Sequence, residues 1–184
     1  MRVGVQAPGF TLPSTTGAPL SLEELRGQVV LLVFHHQLGC TPCRQHLLAL
    51  RQAYHRLQPT GAEVLLVAHV NLPFLRRYVE EMDLPFPALA DPELTIYRAY
   101  ELLRTPRSDR LSLSLWLSRL LGRPSPRSAS TLVPRLLAGD FLVDARGTLR
   151  RAWRSTEAHE GHPSVEAVVE HMLGLATGKT RQRG

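Results

Sequence analysis

The stretch Val29–Leu50, VVLLVFHHQLGCTPCRQHLLAL, decides how the rest of the chain is read. It opens with six consecutive apolar residues, Val29–Phe34, half of them β-branched. Such a run suits a strand covered on both faces, as in a parallel or mixed sheet. It closes in a helical pattern, because Cys43, Leu47, Leu50, Tyr54 and Leu57 recur at the spacings of one helix face. Between strand and helix stands Cys40-Thr41-Pro42-Cys43, which holds both cysteines of the chain.

That placement has chemical content. A helix N-terminus offers unpaired N–H groups and the positive end of the dipole, so it stabilises a thiolate. Thr41 is the expected N-cap and Pro42 the first helical residue, where a missing N–H costs nothing. Two intervening residues bring the sulfurs close enough to close a disulfide around one turn. Cys43 falls on the buried stripe, whereas Cys40 precedes the helix and is expected to be the more exposed. Cys40 is then the attacking thiol and Cys43 the resolving one. Arg44 and His46 add positive potential, and His35 or His36 can accept a proton near neutral pH. The same residues leave two other readings open. Cys40, Cys43 and His36, with His35 beside them, could hold zinc or copper(I), or the two thiols could simply fill core space. His159 and His162 reach this region if the 157–163 loop folds over it.

Outward from this stretch the elements alternate. Phe10–Leu12 and Pro19–Ser21 flank a glycine turn, as in a small hairpin. Ser21 and Glu24 form a capping-box pattern at a short helix start. Val64–Ala68 is a second buried strand. Leu72–Met82 reads as a helix entered through Asn71, with Pro73 in its first turn. Pro87–Ala90 is extended, and Asp91 opens a helix through about Leu102. Phe141–Val143, the turn Asp144–Gly147 and Leu149–Trp153 form a terminal hairpin, and Pro163–Leu175 a closing helix. This order puts a central sheet between helices. The expected organisation is one domain over 1–176, interrupted by an insertion at about 102–138, with a flexible tail at 177–184.

Composition narrows the function classes. A chain of 184 residues with 43% hydrophobic content can build a core without disulfide staples. It lacks a run of ~18 apolar residues, so no membrane span is expected. The start Met1–Pro8 has no apolar signal region, so the protein is expected in the cytoplasm. In that reducing compartment a CxxC pair is catalytic or metal-binding more often than structural. The net charge of +6 comes from Leu102–Ala138, which carries seven arginines against Asp109. A basic segment attracts anions, but here it reads as a solvated insertion, and no nucleic-acid partner is expected. Within it, Leu113, Trp116, Leu117, Leu120 and Leu121 would share one side of a helix over Ser108–Gly122, although the alternating run Leu111–Leu117 also permits a strand. That side needs a cover, either the same domain or a second copy in a homodimer. Residues 174–180, GLATGKT, have three residues between the glycines where a phosphate loop needs four. No GxGxxG occurs, and no organic cofactor is expected.

Four stretches carry a resemblance to a known group: 3–34, 38–47 (LGCTPCRQHL), 86–102 (FPALADPELTIYRAYEL) and 139–153 (GDFLVDARGTLRRAW). They resemble the thioredoxin-fold redoxins and, among these, the peroxiredoxin-like alkyl hydroperoxide reductase/thiol-specific antioxidant group. The resemblance implies an α/β thioredoxin-like fold with a central mixed sheet. It also implies an antioxidant thiol oxidoreductase that reduces disulfides or peroxides through a Cys40/Cys43 dithiol–disulfide cycle. Electrons would come from an external thiol donor such as a thioredoxin or a small thiol. The chain departs from the group at named positions. Aligned on the peroxide-reactive cysteine, the chain has Cys40 and His36 where a Thr or Ser and a Pro are usual. This alignment makes Cys43 the reactive thiol, opposite to the assignment from helix periodicity, so which cysteine reacts first stays open. The peroxide-activating arginine is replaced by Ala138, with Arg135 nearby. The buried acid of thioredoxins corresponds to Phe34, and their cis-proline segment to Leu137–Asp140. The alternatives to redox chemistry are a copper or zinc carrier using the same cysteines, and an interaction module built on the basic insertion.

Overall fold

Six buried side chains in a row, Val30–His35, form the middle of the fold. The computed structural model describes residues 2–104, 135–155 and 162–178. The strands are β1 (Thr11–Leu12), β2 (Leu20–Ser21), β3 (Val30–His35), β4 (Glu63–Ala68), β5 (Ala88–Ala90), β6 (Leu103–Arg104), β7 (Arg135–Leu136), β8 (Gly139–Val143) and β9 (Leu149–Arg154). The helices are α1 (Thr41–Ala53), α2 (Leu72–Met82), α3 (Thr95–Ala99) and α4 (Val165–Ala176). Five strands make one mixed sheet in the order β5-β4-β3-β8-β9. β3, β4 and β5 run parallel, while β8 and β9 join antiparallel. This is the thioredoxin-like arrangement expected from the sequence.

The alternation of β3 divides the core into two layers. Leu31 and Val33 face α1, α2 and α4 through Leu47, Leu50, Leu75, Tyr78, Val168 and Met172. Val30, Leu32 and Phe34 face the β1–β2 hairpin and α3 through Leu12, Tyr97 and Tyr100. A strand buried on both faces cannot carry a polar alternation, which explains the continuous apolar run in the sequence.

Local signals worked where they were short-ranged. The Ser21 hydroxyl accepts from the Glu24 amide at 3.2 Å, and the Glu24 carboxylate accepts from the Ser21 amide at 2.9 Å. Asn71 caps α2 by accepting from the Phe74 amide. The expected helix from Asp91 to Leu102 is instead the five-residue α3. Leu94 and Glu101 adopt left-handed backbone conformations at its two ends. The buried Asp91 carboxylate accepts the amides of Thr95, Ile96 and Tyr97 at 2.8–3.1 Å, which sets the helix start four residues late. The β6–β7 pair, which the sequence pattern did not suggest, joins Leu103 to Leu136 and Arg104 to Arg135. The expected insertion helix at 108–122, the loop after it, His159 and the tail from 179 lie outside the described residues.

Candidate active site

β3 ends at His35, and α1 begins at Thr41 after five intervening residues. Cys40 and Cys43 are joined there by a disulfide, with their Cα atoms 5.3 Å apart. The N-cap is Cys40, one residue before the expected Thr41; Thr41 and Pro42 are the first two helical residues and both are exposed. The reason is that the Cys40 sulfur itself accepts from the Cys43 amide at 3.3 Å, so a sulfur atom occupies the capping position. The expected contrast in exposure is small, because Cys40 is 7% and Cys43 2% exposed. Ala138, the residue before β8, completes a small buried cluster with the two cysteines. Its backbone is held by Ser155, whose hydroxyl accepts from the Ala138 amide at 3.1 Å and donates to the Ala138 carbonyl at 3.0 Å.

The two strand-end histidines separate. His36 brings Nδ1 to 3.5 Å from the Cys43 sulfur. His35 is buried, with Nε2 3.5 Å from the Tyr78 hydroxyl. Burial, reinforced by the charges of His162 and His36, lowers its pKa from the ordinary 6.5 to about 3. Arg44 places its guanidinium 5.5 Å from the centre of the Tyr78 ring. The group His36, Cys40 and Cys43 has its ligand atoms close enough together to hold a metal ion.

His46 does not turn toward the sulfurs. Its Nε2 lies 2.9 Å from Oδ2 of Asp140 on β8, and the other oxygen, Oδ1, lies 2.9 Å from Nδ1 of His162 before α4. The two imidazoles stack, with centroids 4.2 Å apart and planes within 6°. Burial alone would raise the Asp140 pKa, but the two histidines outweigh it and hold the carboxyl below the ordinary range. Sequence reasoning gave His46 another role and did not single out Asp140. The signal was present: an acid in the apolar run GDFLV, and a histidine three residues after Cys43 on the buried stripe of α1.

The chain matches the AhpC/TSA family over residues 3–152. It is 30% identical over 100 residues to the peroxiredoxin named bcp of Coxiella burnetii, covering 54% of this chain and 66% of that protein. It is 32% identical over 107 residues to the thiol-disulfide oxidoreductase ResA of Halalkalibacterium halodurans, covering 57% of this chain and 60% of that protein. The chain thus spans somewhat less than two thirds of the length of these relatives. Among solved structures it is similar to peroxiredoxin Q of Xanthomonas campestris, with a TM-score of 0.70, 16% identity and coverage of 91% of both chains. At that identity the likeness speaks for the fold.

Proposed function

Because the chain belongs to the AhpC/TSA family, we propose that it is a thiol–disulfide oxidoreductase cycling between a Cys40/Cys43 dithiol and the intramolecular disulfide. The observation that carries the reading is the disulfide seated at the N-terminus of α1, with His36 beside Cys43. Cys40 is the attacking thiol. As a thiolate it is stabilised by the Cys43 amide and the helix dipole. It attacks one sulfur of a substrate disulfide, forms a mixed disulfide and releases the other sulfur as a thiolate. The Cys43 thiol passes its proton to His36, and the resulting thiolate attacks the Cys40 sulfur. The second substrate sulfur then leaves as a thiolate, and the substrate has gained two electrons. His36 rather than His35 is the acceptor, because a base whose pKa is held near 3 takes no proton from a thiol. An external thiol donor restores the dithiol.

A hydroperoxide enters the same cycle through Cys40. The thiolate attacks the peroxide oxygen, an alcohol leaves, and Cys43 condenses with the sulfenic acid to release water. The small Ala138 against the sulfurs supplies no cation for the peroxide, which favours disulfides as the faster substrates. The reductive cycle needs a reducing pool, so we place the protein in the cytoplasm; among its described residues no helix is long and apolar enough to cross a membrane. Cell fractionation checks the placement.

The test is stopped-flow oxidation of the reduced protein by a small disulfide and by hydrogen peroxide, with both single Cys→Ser variants. Both variants should lose turnover, and Cys43→Ser alone should accumulate a mixed disulfide. A wild-type rate no faster than a free thiol with either oxidant overturns the reading. A second reading rests on the His36, Cys40 and Cys43 group: the reduced form as a carrier of copper(I) or zinc. Stoichiometric metal bound only after reduction, without turnover, would favour it.

A further inference from the structure

Three pieces of the chain, far apart in sequence, converge under the first turns of α1. His46 comes from α1, Asp140 from β8 and His162 from the segment before α4. Their side chains are 5%, 0% and 2% exposed. Two imidazoles and one carboxylate present nitrogen and oxygen atoms that all lie within 4.8 Å of one another. Such a cluster is costly unless each polar atom finds a partner.

The partners are incomplete. Oδ1 of Asp140 meets Nδ1 of His162 in an ordinary hydrogen bond at 2.9 Å. Oδ2 and the Nε2 of His46 are equally close, yet they are not aligned as a hydrogen bond. Among the described residues, His46 Nε2, Asp140 Oδ2 and His162 Nε2 are all buried without a hydrogen-bond partner. A proton shared between His46 Nε2 and Asp140 Oδ2 needs nitrogen, hydrogen and oxygen close to a line, which the pair does not offer. A cation lying between a ring nitrogen and a carboxylate oxygen satisfies both lone pairs together.

From this we propose that His46, Asp140 and His162 form a binding site for a divalent first-row transition ion of the zinc type. Two imidazole nitrogens and one carboxylate oxygen are a donor set that zinc accepts, at bonds of roughly 2.0–2.2 Å. Ligand atoms spread over 4.8 Å reach such bonds by shifts on the order of 1 Å together with the turning of one imidazole out of the 4.2 Å stack, because parallel rings cannot both aim their in-plane lone pairs at one ion. Three protein ligands leave one coordination position. His162 also borders a cavity of about 370 Å³ with Ala138, Ser155 and Pro163, which offers the ion an entry path and room for a water ligand. The ion ties α1 to β8 and to the segment before α4. The site is separate from the sulfurs, so it stands whether or not the dithiol cycle does.

The experiment uses the oxidised wild-type chain, in which Cys40 and Cys43 are locked as a disulfide and cannot ligate. Metal-free protein is titrated with Co(II), followed by visible d–d absorption, and then with Zn(II) in competition. The expected result is one equivalent bound, with no sulfur-to-cobalt charge-transfer band, and a melting temperature raised by Zn(II). Asp140→Asn, His46→Gln and His162→Gln should each weaken binding by at least the roughly 10–100-fold that even outer partners of a metal site cost. No spectral change in oxidised wild-type protein at millimolar Co(II) overturns the proposal, and this arm needs no variant to fold. Undiminished binding in folded Asp140→Asn or His162→Gln overturns it too.

Discussion

Lowering the pH from about 7.5 to 5 should weaken the fold through His35, and the loss can be worked from the structure. His35 is buried at the end of β3, and its pKa falls from the ordinary 6.5 to about 3. The folded chain therefore keeps this ring neutral at pH 5, while the unfolded chain protonates it almost fully. The unfolded state binds more protons, so stability rises with pH across this interval. The contribution is fully present above the unfolded value of 6.5 and is lost as the pH falls toward the folded value of about 3. Integrating the linkage between pH 7.5 and 5 gives about 2 kcal/mol from this one group. Other groups titrate in the same range, so the measurement is a difference of differences. Urea unfolding of the oxidised protein is run at both pH values for wild type and His35→Gln, which keeps a polar atom near the Tyr78 hydroxyl. His36 and His162, whose charges also bear on His35, are present in both proteins. Wild type should lose about 2 kcal/mol more than the variant between the two conditions. Losses that agree within about 0.5 kcal/mol, the scale of ordinary non-additivity, would refute the assignment of His35 as a buried neutral imidazole.

Two further perturbations test the frame around the site. Gly139→Ala should destabilise the protein by roughly 1–3 kcal/mol, read as a fall in urea midpoint at unchanged slope. A Cβ there would sit 3.0 Å from the Trp153 carbonyl oxygen and 3.1 Å from the Leu102 and Phe141 side chains. Asp91→Ala should cost on the order of 2–3 kcal/mol, because three amides at the start of α3 lose their buried acceptor. Asp91→Asn should recover part of that loss, since one amide oxygen still accepts, and urea unfolding of both variants beside wild type reads the difference.

What could be read from the sequence was what is decided locally. The run Val29–Phe34 had to be a covered strand, and the cap at Asn71 followed from a side chain three residues from its amide. The cysteine pair at a helix start was legible for the same reason, as was the Ser21–Glu24 exchange. The cap at Cys40 was misplaced by one residue because sulfur is a weak acceptor, and a hydroxyl stood next to it at Thr41. The short α3 escaped because the run Thr95–Leu102 continues a helical pattern. Only the tertiary burial of Asp91 and the left-handed Leu94 reset its start. The Asp140 cluster was the hardest to see. Its members are separated by 94 and 22 residues along the chain, so no window of sequence holds the charge and its two partners together. The inward position of Asp140 became visible only when β8 was set against β3, with Asp140 opposite Val33.

The short ladder between Leu103–Arg104 and Arg135–Leu136 has a practical reach. Its two rungs fix the exit and re-entry of the chain side by side, on the far flank of residues that the core already owns, Leu102 and Leu137. Whatever length of polypeptide runs between them, the domain is presented with the same two ends at the same spacing. Doubling such a length costs only about 0.6 kcal/mol of closure entropy. The ladder is thus a docking port in the engineering sense. A reporter, an affinity tag or a substrate-recruiting module spliced between Arg104 and Arg135 would hang from the redoxin scaffold without redrawing the sheet that holds Cys40 and Cys43.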